Sequence, residues 1–526
     1  MTAAADRGFS VALDFYRHTL NMALAAKPVV MVLFVLMVLG TGLLFAFIPK
    51  GFMPAEDTGQ IVCMTEAGQG TSYDKMVRLH TQLTQIIAQN KNVKSYMSSL
   101  GVGNGSPNIA LNQGRILIVL KPKEERRAGV ADVIKELQGP LNSVPDINCY
   151  LQNPPTIAIG GQVTKSLYQF TLSSPDRTAL YKAAREFIDL VRGVPGITDV
   201  ASDMQIDNPE VHLQVDRDKC SRLGITMQQV EDALDSAYAQ RQISTMYTST
   251  NQYWVIIEVE PRFYRDPAVL KTLYVRAAGN TLVPLDTICQ INNGVGPLLV
   301  NHLGQFGSVT ISFNLQPGAS LGDAVARVKQ LAAEHVPKSV TTGFQGTASS
   351  FEDSFANLWV LLLIAVLVIY IVLGILYESF VHHLTILSGL PSAGLGALLV
   401  LLLCHKDLDI YGFLGLIMLI GIVKKNAIMM IDFAVEAERE RNLAAEKAIY
   451  EACLTRFRPI MMTTMAALMG AVPIAIGFGA GSESRQPLGL TVVGGLLVSQ
   501  LVTLYITPVF YIYLDEIQRK LQRRGG

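Results

Sequence analysis

The sequence has little charge for its length. Asp, Glu, Lys and Arg make up 16% of its 526 residues, whereas a soluble domain carries about a quarter. The 43 acidic and 43 basic side chains balance to a net charge of zero, so we expect no basic surface for nucleic acid and no nucleic-acid partner. Apolar residues reach 50% and are concentrated in long runs, which favours membrane spans beside a water-exposed region.

Motifs of soluble enzymes and of metal sites are also missing from the sequence. The six cysteines stand singly, with no CxxC or other metal-ligand spacing, and we interpret them as isolated buried thiols. There is no Walker motif, no HExxH and no GxSxG, so the sequence indicates neither ATP hydrolysis nor soluble hydrolytic chemistry. No run fits a cleavable signal peptide. We therefore expect neither an enzyme nor a bound cofactor or metal.

Six apolar runs predict six transmembrane helices, one before a large water-exposed region and five after it. The predicted spans are 29–48, 358–376, 384–404, 411–435, 459–479 and 488–514. Lysines and arginines flank both ends of the chain and fill the loop 436–458. This distribution predicts cytoplasmic termini, an extracytoplasmic location for the large region and a cytoplasmic tail over 515–526. Residues 1–27 carry apolar side chains at helical spacing and predict an amphipathic helix on the membrane surface.

The water-exposed region predicts two α/β sandwiches, the second of them interrupted. Residues 57–157 follow a strand–helix–strand–strand–helix–strand order, the split βαβ pattern. The same pattern is divided between 158–206 and 298–350, and 207–297 is predicted as an inserted domain that contains a hairpin near residues 246–253. The predicted fold is therefore a six-helix membrane protein with an α+β extracytoplasmic domain of ferredoxin-like subdomains.

The span 411–435 carries Lys424, Lys425 and Asn426 near its middle, with Asp432 farther along. A lysine at that depth costs several kcal/mol unless it is paired, neutral or wetted, and such residues usually mark an ion or proton path. One lysine could snorkel to the cytoplasmic surface, but the position argues against this for both. No partner carboxylate is evident in the other spans, so we expect the missing acid to come from elsewhere.

The next span begins with further polar candidates, Thr463 and Thr464, which follow Arg456 and Arg458. Membrane threonines often bond to a carbonyl of their own helix, and arginines often anchor a helix end at the interface. Both ordinary interpretations stay open on the residues alone.

Five motifs together resemble the C-terminal half of an RND multidrug exporter of the hydrophobe/amphiphile efflux type. They are IPKGFMP, VDRDKCSRLGI, IYIVLGILYESF, GIVKKNAIMMIDFA and RFRPIMMTTMAAL, and the collinear resemblance covers residues 10–515. The stretch RQISTMYTSTNQY is similar to the Mdt-type branch, whose members assemble as mixed trimers of two related subunits. The heavy-metal branch is less similar.

The resemblance implies a proton relay. In such pumps the lysine that precedes the asparagine contacts two aspartates of the N-terminal half, and the matching residue here is Lys425. Lys424 occupies a variable position. Thr463, Arg456 and Asn426 match the other relay positions. The implied energy source is the proton gradient, and the implied activity is proton/drug antiport.

The resemblance also implies roles for the water-exposed region. The two sandwiches match the porter subdomains that take up substrate, and 207–297 matches the docking domain that faces an outer-membrane channel. The positions that match the pocket phenylalanines of drug-pumping relatives are Met97, Val102, Asn104 and Leu117. None of them is aromatic, so we expect a different substrate range.

The implied assembly is a tripartite pump of the inner membrane. Its other parts are the N-terminal half, in the same or a separate chain, a periplasmic adaptor and the outer-membrane channel. The inner-membrane component is expected to be a homo- or heterotrimer. Full pumps carry two such halves, so we expect this sequence to be a fragment, a truncated gene product or one part of a split pump. Two alternatives are a protein-export accessory of the same superfamily and an inactive remnant that serves as a scaffold.

Overall fold

A computed structural model describes residues 2–54, 56–101, 110–126, 128–157, 159–264, 266–316, 318–377, 380–441, 443–479 and 481–525. Two consecutive helices come first, α1 (Thr2–Ala25) and α2 (Lys27–Phe47). The Tyr16 hydroxyl of α1 donates to the Leu504 carbonyl at 2.9 Å, and its ring stacks on Phe457 with 4.7 Å between centroids. The apolar face predicted within 1–27 therefore packs in part against other helices of the protein.

Four antiparallel strands and two helices form the first part of the water-exposed region. They are β1 (Gln60–Ala67), α3 (Tyr73–Gln89), β2 (Val93–Leu100), β3 (Gln113–Leu120), α4 (Val130–Asn142) and β4 (Ile147–Gln152). The sheet order is β2-β3-β1-β4. Ser72 caps α3 by accepting a hydrogen bond from the Lys75 N–H. Ile116 and Ile118 of β3 are buried in the core beneath the helices, so Leu117 lies on the opposite face of the sheet.

The rest of the water-exposed region forms a second sheet and an insert. In chain order its elements are β5 (Tyr168–Ser174), α5 (Arg177–Arg192), β6 (Ile197–Ser202), β7 (Asn208–Val215), α6 (Arg217–Leu223), α7 (Met227–Tyr238), β8 (Arg241–Tyr247), β9 (Gln252–Ile257), α8 (Pro261–Tyr264), β10 (Tyr274–Arg276), β11 (Leu282–Pro284), α9 (Leu285–Ile288), β12 (Cys289–Gly296), β13 (His302–Leu303), β14 (Phe306–Leu315), α10 (Leu321–His335) and β15 (Thr341–Gln345). The second sheet has the order β13-β14-β5-β15, and β6 also pairs with β14. Strands from before and after the insert are therefore hydrogen-bonded to each other.

The insert leaves and rejoins the second sheet through one antiparallel pair. β7 and β12 are paired along their whole lengths, with Asn208 opposite Gly296 and Val215 opposite Cys289. The insert has its own small core, which includes Val230. Its β8–β9 hairpin exposes Tyr247 and Trp254 to solvent.

The remaining helices of the membrane part follow β15 almost directly. Its helices are α11 (Thr347–Tyr377), α12 (Phe380–Leu387), α13 (Leu390–Leu403), α14 (Ile410–Arg441), α15 (Ala445–Ile476) and α16 (Ser482–Gly525). Within the described ranges, six helical segments are long and apolar enough to cross a membrane: one in α2, one in α12–α13, and one each in α11, α14, α15 and α16.

Several helices are longer than the spans predicted for them. α11 begins at Thr347 rather than at 358, and α15 begins at Ala445 rather than at 459. Hydropathy marks only the apolar run, whereas a helix continues through polar residues wherever its backbone hydrogen bonds are satisfied. As a result, α11 connects the membrane part to β15 without an intervening loop.

Glycines allow the backbones of α13 and α16 to touch. A Cβ placed on Gly396 would lie 2.4 Å from the Gly494 carbonyl oxygen, and a Cβ on Gly494 would lie 2.6 Å from that of Gly396. Farther along α16, a Cβ on Gly489 would lie 2.3 Å from the Ala475 backbone nitrogen of α15. Small residues thus set the helix spacing, as is common between membrane helices.

Candidate functional site

One face of α14 is left open by the described part of the chain. Leu414, Met418, Gly421, Lys425 and Asp432 recur at helical spacing along this face, and all are exposed. A Cβ on Gly421 would meet no atom within 4 Å, so another helix could approach closely one turn from Lys425. We call these five residues the open face of α14.

Lys425 lies in the middle of the open face. Its side chain makes no hydrogen bond or ion pair with any residue of the described ranges. Asp432 shares the face, but seven residues separate the two, or about 10 Å along the helix axis. This structure therefore places the lysine toward the exterior of the helix bundle, with no counter-charge beside it among the residues that the structure describes.

Asn426 belongs to a closed hydrogen-bonded triad that joins three helices. Its Nδ2 donates to the Thr464 Oγ1 of α15 at 2.9 Å and to the Gln500 Oε1 of α16 at 3.0 Å. The Thr464 Oγ1 donates to the same Gln500 Oε1 at 2.8 Å. All three residues are buried. Because Asn426 directly follows Lys425, the triad fixes the rotation of α14 at the lysine.

Thr463 and Arg456 lie on α15 outside the triad. The Thr463 hydroxyl donates to the Ile460 carbonyl of its own helix at 3.1 Å, the ordinary arrangement of a membrane threonine. The Arg456 guanidinium lies 5.3 Å from the centroid of the Phe433 ring of α14, which is cation–π geometry. Arg456 therefore lies against Phe433 of α14, whereas the hydrogen bond of the Thr463 hydroxyl stays within its own helix.

Lys424 lies on a different side of α14 from Lys425. Its side chain is buried, with 4% exposure, among helices of the bundle. Its Nζ has no hydrogen-bond partner within the described part of the chain. Consecutive residues of a helix point about 100° apart, so adjacent lysines have opposite environments.

The structure brings together two of the four pocket positions. Met97 and Leu117 are directly opposite each other on β2 and β3, so their side chains share one face of the sheet. Met97 is 61% exposed on the edge strand. Val102 and Asn104 lie outside the described residues.

One residue of the membrane site, Gln500, was missed in the sequence. Gln500 stands in the otherwise apolar run 488–514, and a polar residue at that depth is itself a signal of function or of helix contacts. Thr464 was noted beside Thr463, but the spacing did not indicate which hydroxyl faces α14.

A link between the membrane part and the first sheet lies at the N-terminal end of α16. Glu483 forms an ion pair with Lys123, which follows β3. Hydrogen bonds from Ser484 and Thr156 lower the pKa of Glu56, and Arg485 also lowers it. The helix that carries Gln500 is thus attached to the first sheet.

Comparison with known proteins agrees with this architecture. The model of the AcrB/AcrD/AcrF family matches residues 2–515. Two crystal forms of a heavy metal efflux pump are similar at 22% sequence identity, with TM-scores of 0.88 and 0.87 over 97% of this chain. The chain covers 53% and 52% of those pump chains, about half their length. This likeness shows a shared fold, and the family match covers nearly the whole sequence. The chain belongs to the AcrB/AcrD/AcrF family of RND efflux pumps.

Proposed function

We propose that this chain supplies the lysine side of the proton path in a proton-driven efflux pump of the inner membrane. The observation that carries the proposal is Lys425 at the middle of the open face of α14, without a counter-charge in the described ranges. A lysine at mid-membrane depth is costly unless it is paired. We infer that a segment outside these 526 residues covers the open face and brings carboxylates to Lys425.

The triad explains how a change at Lys425 would reach other helices. When the partner carboxylates are ionised, they attract the Lys425 ammonium; when they take up protons, that attraction is lost. Asn426 then carries any rotation of α14 to Thr464 and Gln500 through hydrogen bonds of 2.8–3.0 Å. Thr463 and Arg456 are proposed to line the same path from α15.

Two connections would pass the movement to the water-exposed region. α11 follows β15 directly, and α16 is attached to the first sheet through Glu483 and Lys123. We interpret the two sheets with their helices as ferredoxin-like porter subdomains, with 207–297 as the docking insert. In this arrangement the large region is periplasmic and both termini are cytoplasmic.

We propose an amphiphilic organic cargo of the drug type. Met97 and Leu117 present an apolar surface on an exposed edge of the first sheet. Metal cargo would need convergent ligands, and the described residues contain no group of three or more His, Cys, Asp or Glu placed to hold a metal ion. The N-terminal half, a trimeric assembly of the Mdt type, a periplasmic adaptor and an outer-membrane channel complete the proposed pump.

The test compares two substitutions on the open face in the complete pump. Lys425→Ala should abolish efflux and drug resistance at unchanged expression. Met418→Ala, on the same face, truncates a side chain of similar length without removing charge and should keep most activity. Full resistance in the Lys425→Ala cells would contradict the proposal. Equal loss in both variants would show that the face matters for packing rather than for charge.

A further inference from the structure

The segment Pro49–Phe52 lies between the membrane part and the second sheet. It follows α2 closely and forms most of the motif IPKGFMP, which has no role in the proposed proton path. The Phe52 side chain is buried in the apolar core that the second sheet shares with α5 and α10. We call Pro49–Phe52 the connecting segment, and its backbone bonds join two helices that belong to different parts of the molecule.

One side of the connecting segment is bonded to the start of α14. The Leu408 N–H donates to the Pro49 carbonyl at 2.8 Å, and the Gly51 N–H donates to the Leu408 carbonyl at 3.3 Å, so the two stretches pair as in a parallel sheet. The Ile410 N–H, the first of α14, donates to the Phe52 carbonyl at 3.2 Å. The first N–H groups of a helix have no partner inside the helix, and the connecting segment supplies one of them.

The other side of the connecting segment is bonded to the start of α10. The Gly322 N–H donates to the Lys50 carbonyl at 3.2 Å, and the Lys50 N–H donates to the Ser320 Oγ at 3.4 Å. Ser320 also caps α10 by accepting a hydrogen bond from the Asp323 N–H. Lys50 therefore bonds to α10, while its two neighbours in the chain bond to the residue pair that begins α14.

Close packing keeps the connecting segment against the start of α14. A Cβ on Gly51 would lie 3.1 Å from both the Cβ and the Oδ2 of Asp407, so a glycine allows the two backbones to pair at this distance. The Leu408 side chain is fully buried and belongs to one apolar cluster with Ile48 and Phe413. Because a packed interior resists deformation, a displacement of the first turn of α14 also displaces the connecting segment.

We propose that the connecting segment passes movement of α14 to α10 and, through it, to the second sheet. Lys50 and Gly51 are then positioning residues of the pump. This role rests on the proposed function, in which Lys425 moves α14. The connections through α11 and α16 begin on other helices, whereas this one begins on the helix that carries the lysine. An anchor that only stabilised the fold would leave the amount of substrate moved per proton unchanged when it is weakened.

The test uses Ile410→Pro in the complete pump, because proline lacks the N–H that bonds to the Phe52 carbonyl. Proline is well tolerated at the first position of a helix. Ile410→Val is the matched control, since valine keeps the N–H and has as many side-chain carbons as proline. The first readout is hydrogen exchange at the Gly322 amide, on the far side of the connecting segment. We expect exchange roughly three- to tenfold faster in Ile410→Pro than in Ile410→Val, because one hydrogen bond is lost.

The second readout is the amount of substrate moved per proton, measured in vesicles that contain the complete pump. Ile410→Pro should lower this ratio, because protons then cross without moving the second sheet, and Ile410→Val should keep the wild-type ratio. Should Ile410→Pro fail to fold, Gly51→Val replaces it. Asp407→Gly removes the three atoms that a Cβ on Gly51 would meet and should restore the ratio in the double variant. Gly42→Val is the control, since a Cβ on Gly42 would meet no atom within 4 Å.

Two results would overturn the proposal. One is equal exchange of the Gly322 amide in Ile410→Pro and Ile410→Val. The other is a wild-type ratio of substrate to protons in Ile410→Pro or, where that variant does not fold, in Gly51→Val. Failure of the proposed function has a different signature. Lys425→Ala would then transport normally, while the exchange of the Gly322 amide would still differ between Ile410→Pro and Ile410→Val.

Discussion

Substitution of the triad residues offers a quantitative test of the contact among α14, α15 and α16. Gln500→Leu removes the acceptor that receives hydrogen bonds from both Asn426 and Thr464. Thr464→Val removes one of these donors at nearly constant volume. A hydrogen bond between membrane helices contributes about 0.6 kcal/mol on average and about 1.7 kcal/mol at most. We therefore expect each single substitution to lower the free energy of unfolding by about 1–2 kcal/mol.

The double variant distinguishes a real triad from independent residues. Once Gln500 is replaced, the Thr464 hydroxyl has already lost that acceptor. The double variant should therefore lose less free energy of unfolding than the sum of the losses in the two single variants. The expected coupling is about 0.6–1.7 kcal/mol, measured by equilibrium unfolding in mixed micelles. Thr463→Val is the matched control, since its hydroxyl bonds to its own helix, and its coupling to Gln500→Leu should be near zero. Additive effects for Thr464 and Gln500 would refute the triad.

Two further predictions concern packing and pH. Gly489→Val should destabilise the membrane part by more than about 2 kcal/mol, because its Cβ would collide with the Ala475 backbone. Gly470→Val is the control, since a Cβ at Gly470 has open space around it. Equal unfolding temperatures for the two variants would contradict the prediction. Burial raises the pKa of Asp203 from 3.8 to about 6. Its folded pKa thus exceeds its unfolded value, so the stability from this group is fully present below pH 3.8 and is lost as pH rises through about 6. Asp203→Asn keeps an acceptor for the Thr310 N–H and cannot ionise; relative to it, the wild type should lose up to about 3 kcal/mol between pH 4 and pH 8. A difference between the two proteins that stays constant with pH would show that Asp203 does not titrate in this range.

Hydrophobic runs were sufficient to predict the membrane helices but not their ends. The apolar residues of α11 and α15 marked the spans, whereas the polar turns that extend both helices have no hydropathic signal. In the water-exposed region, the first helix of the order predicted for residues 57–157 is α3, and Ser72 caps it as its residue type favours. β5 pairs with β14 although the whole insert separates the two strands in the sequence. The repeated strand–helix pattern was therefore the only sequence signal for this pairing.

The candidate site shows a similar limit at the level of single residues. The sequence places Lys424 and Lys425 at the same depth, and helix geometry separates them by about 100°. Which of them is buried depends on the neighbouring helices. The same holds for Thr463 and Thr464, and for Gln500, whose two bonding partners lie on two other helices.

A measurement of substrate-dependent proton flux tests most directly the central claim that Lys425 belongs to the proton path. The complete pump would be reconstituted into vesicles with a pH-sensitive dye inside and an imposed proton gradient. The account predicts that adding an amphiphilic substrate accelerates proton flux in the wild type and not in Lys425→Ala, while Met418→Ala resembles the wild type. Substrate-dependent proton flux that persists in Lys425→Ala would contradict the role of Lys425 in the proton path.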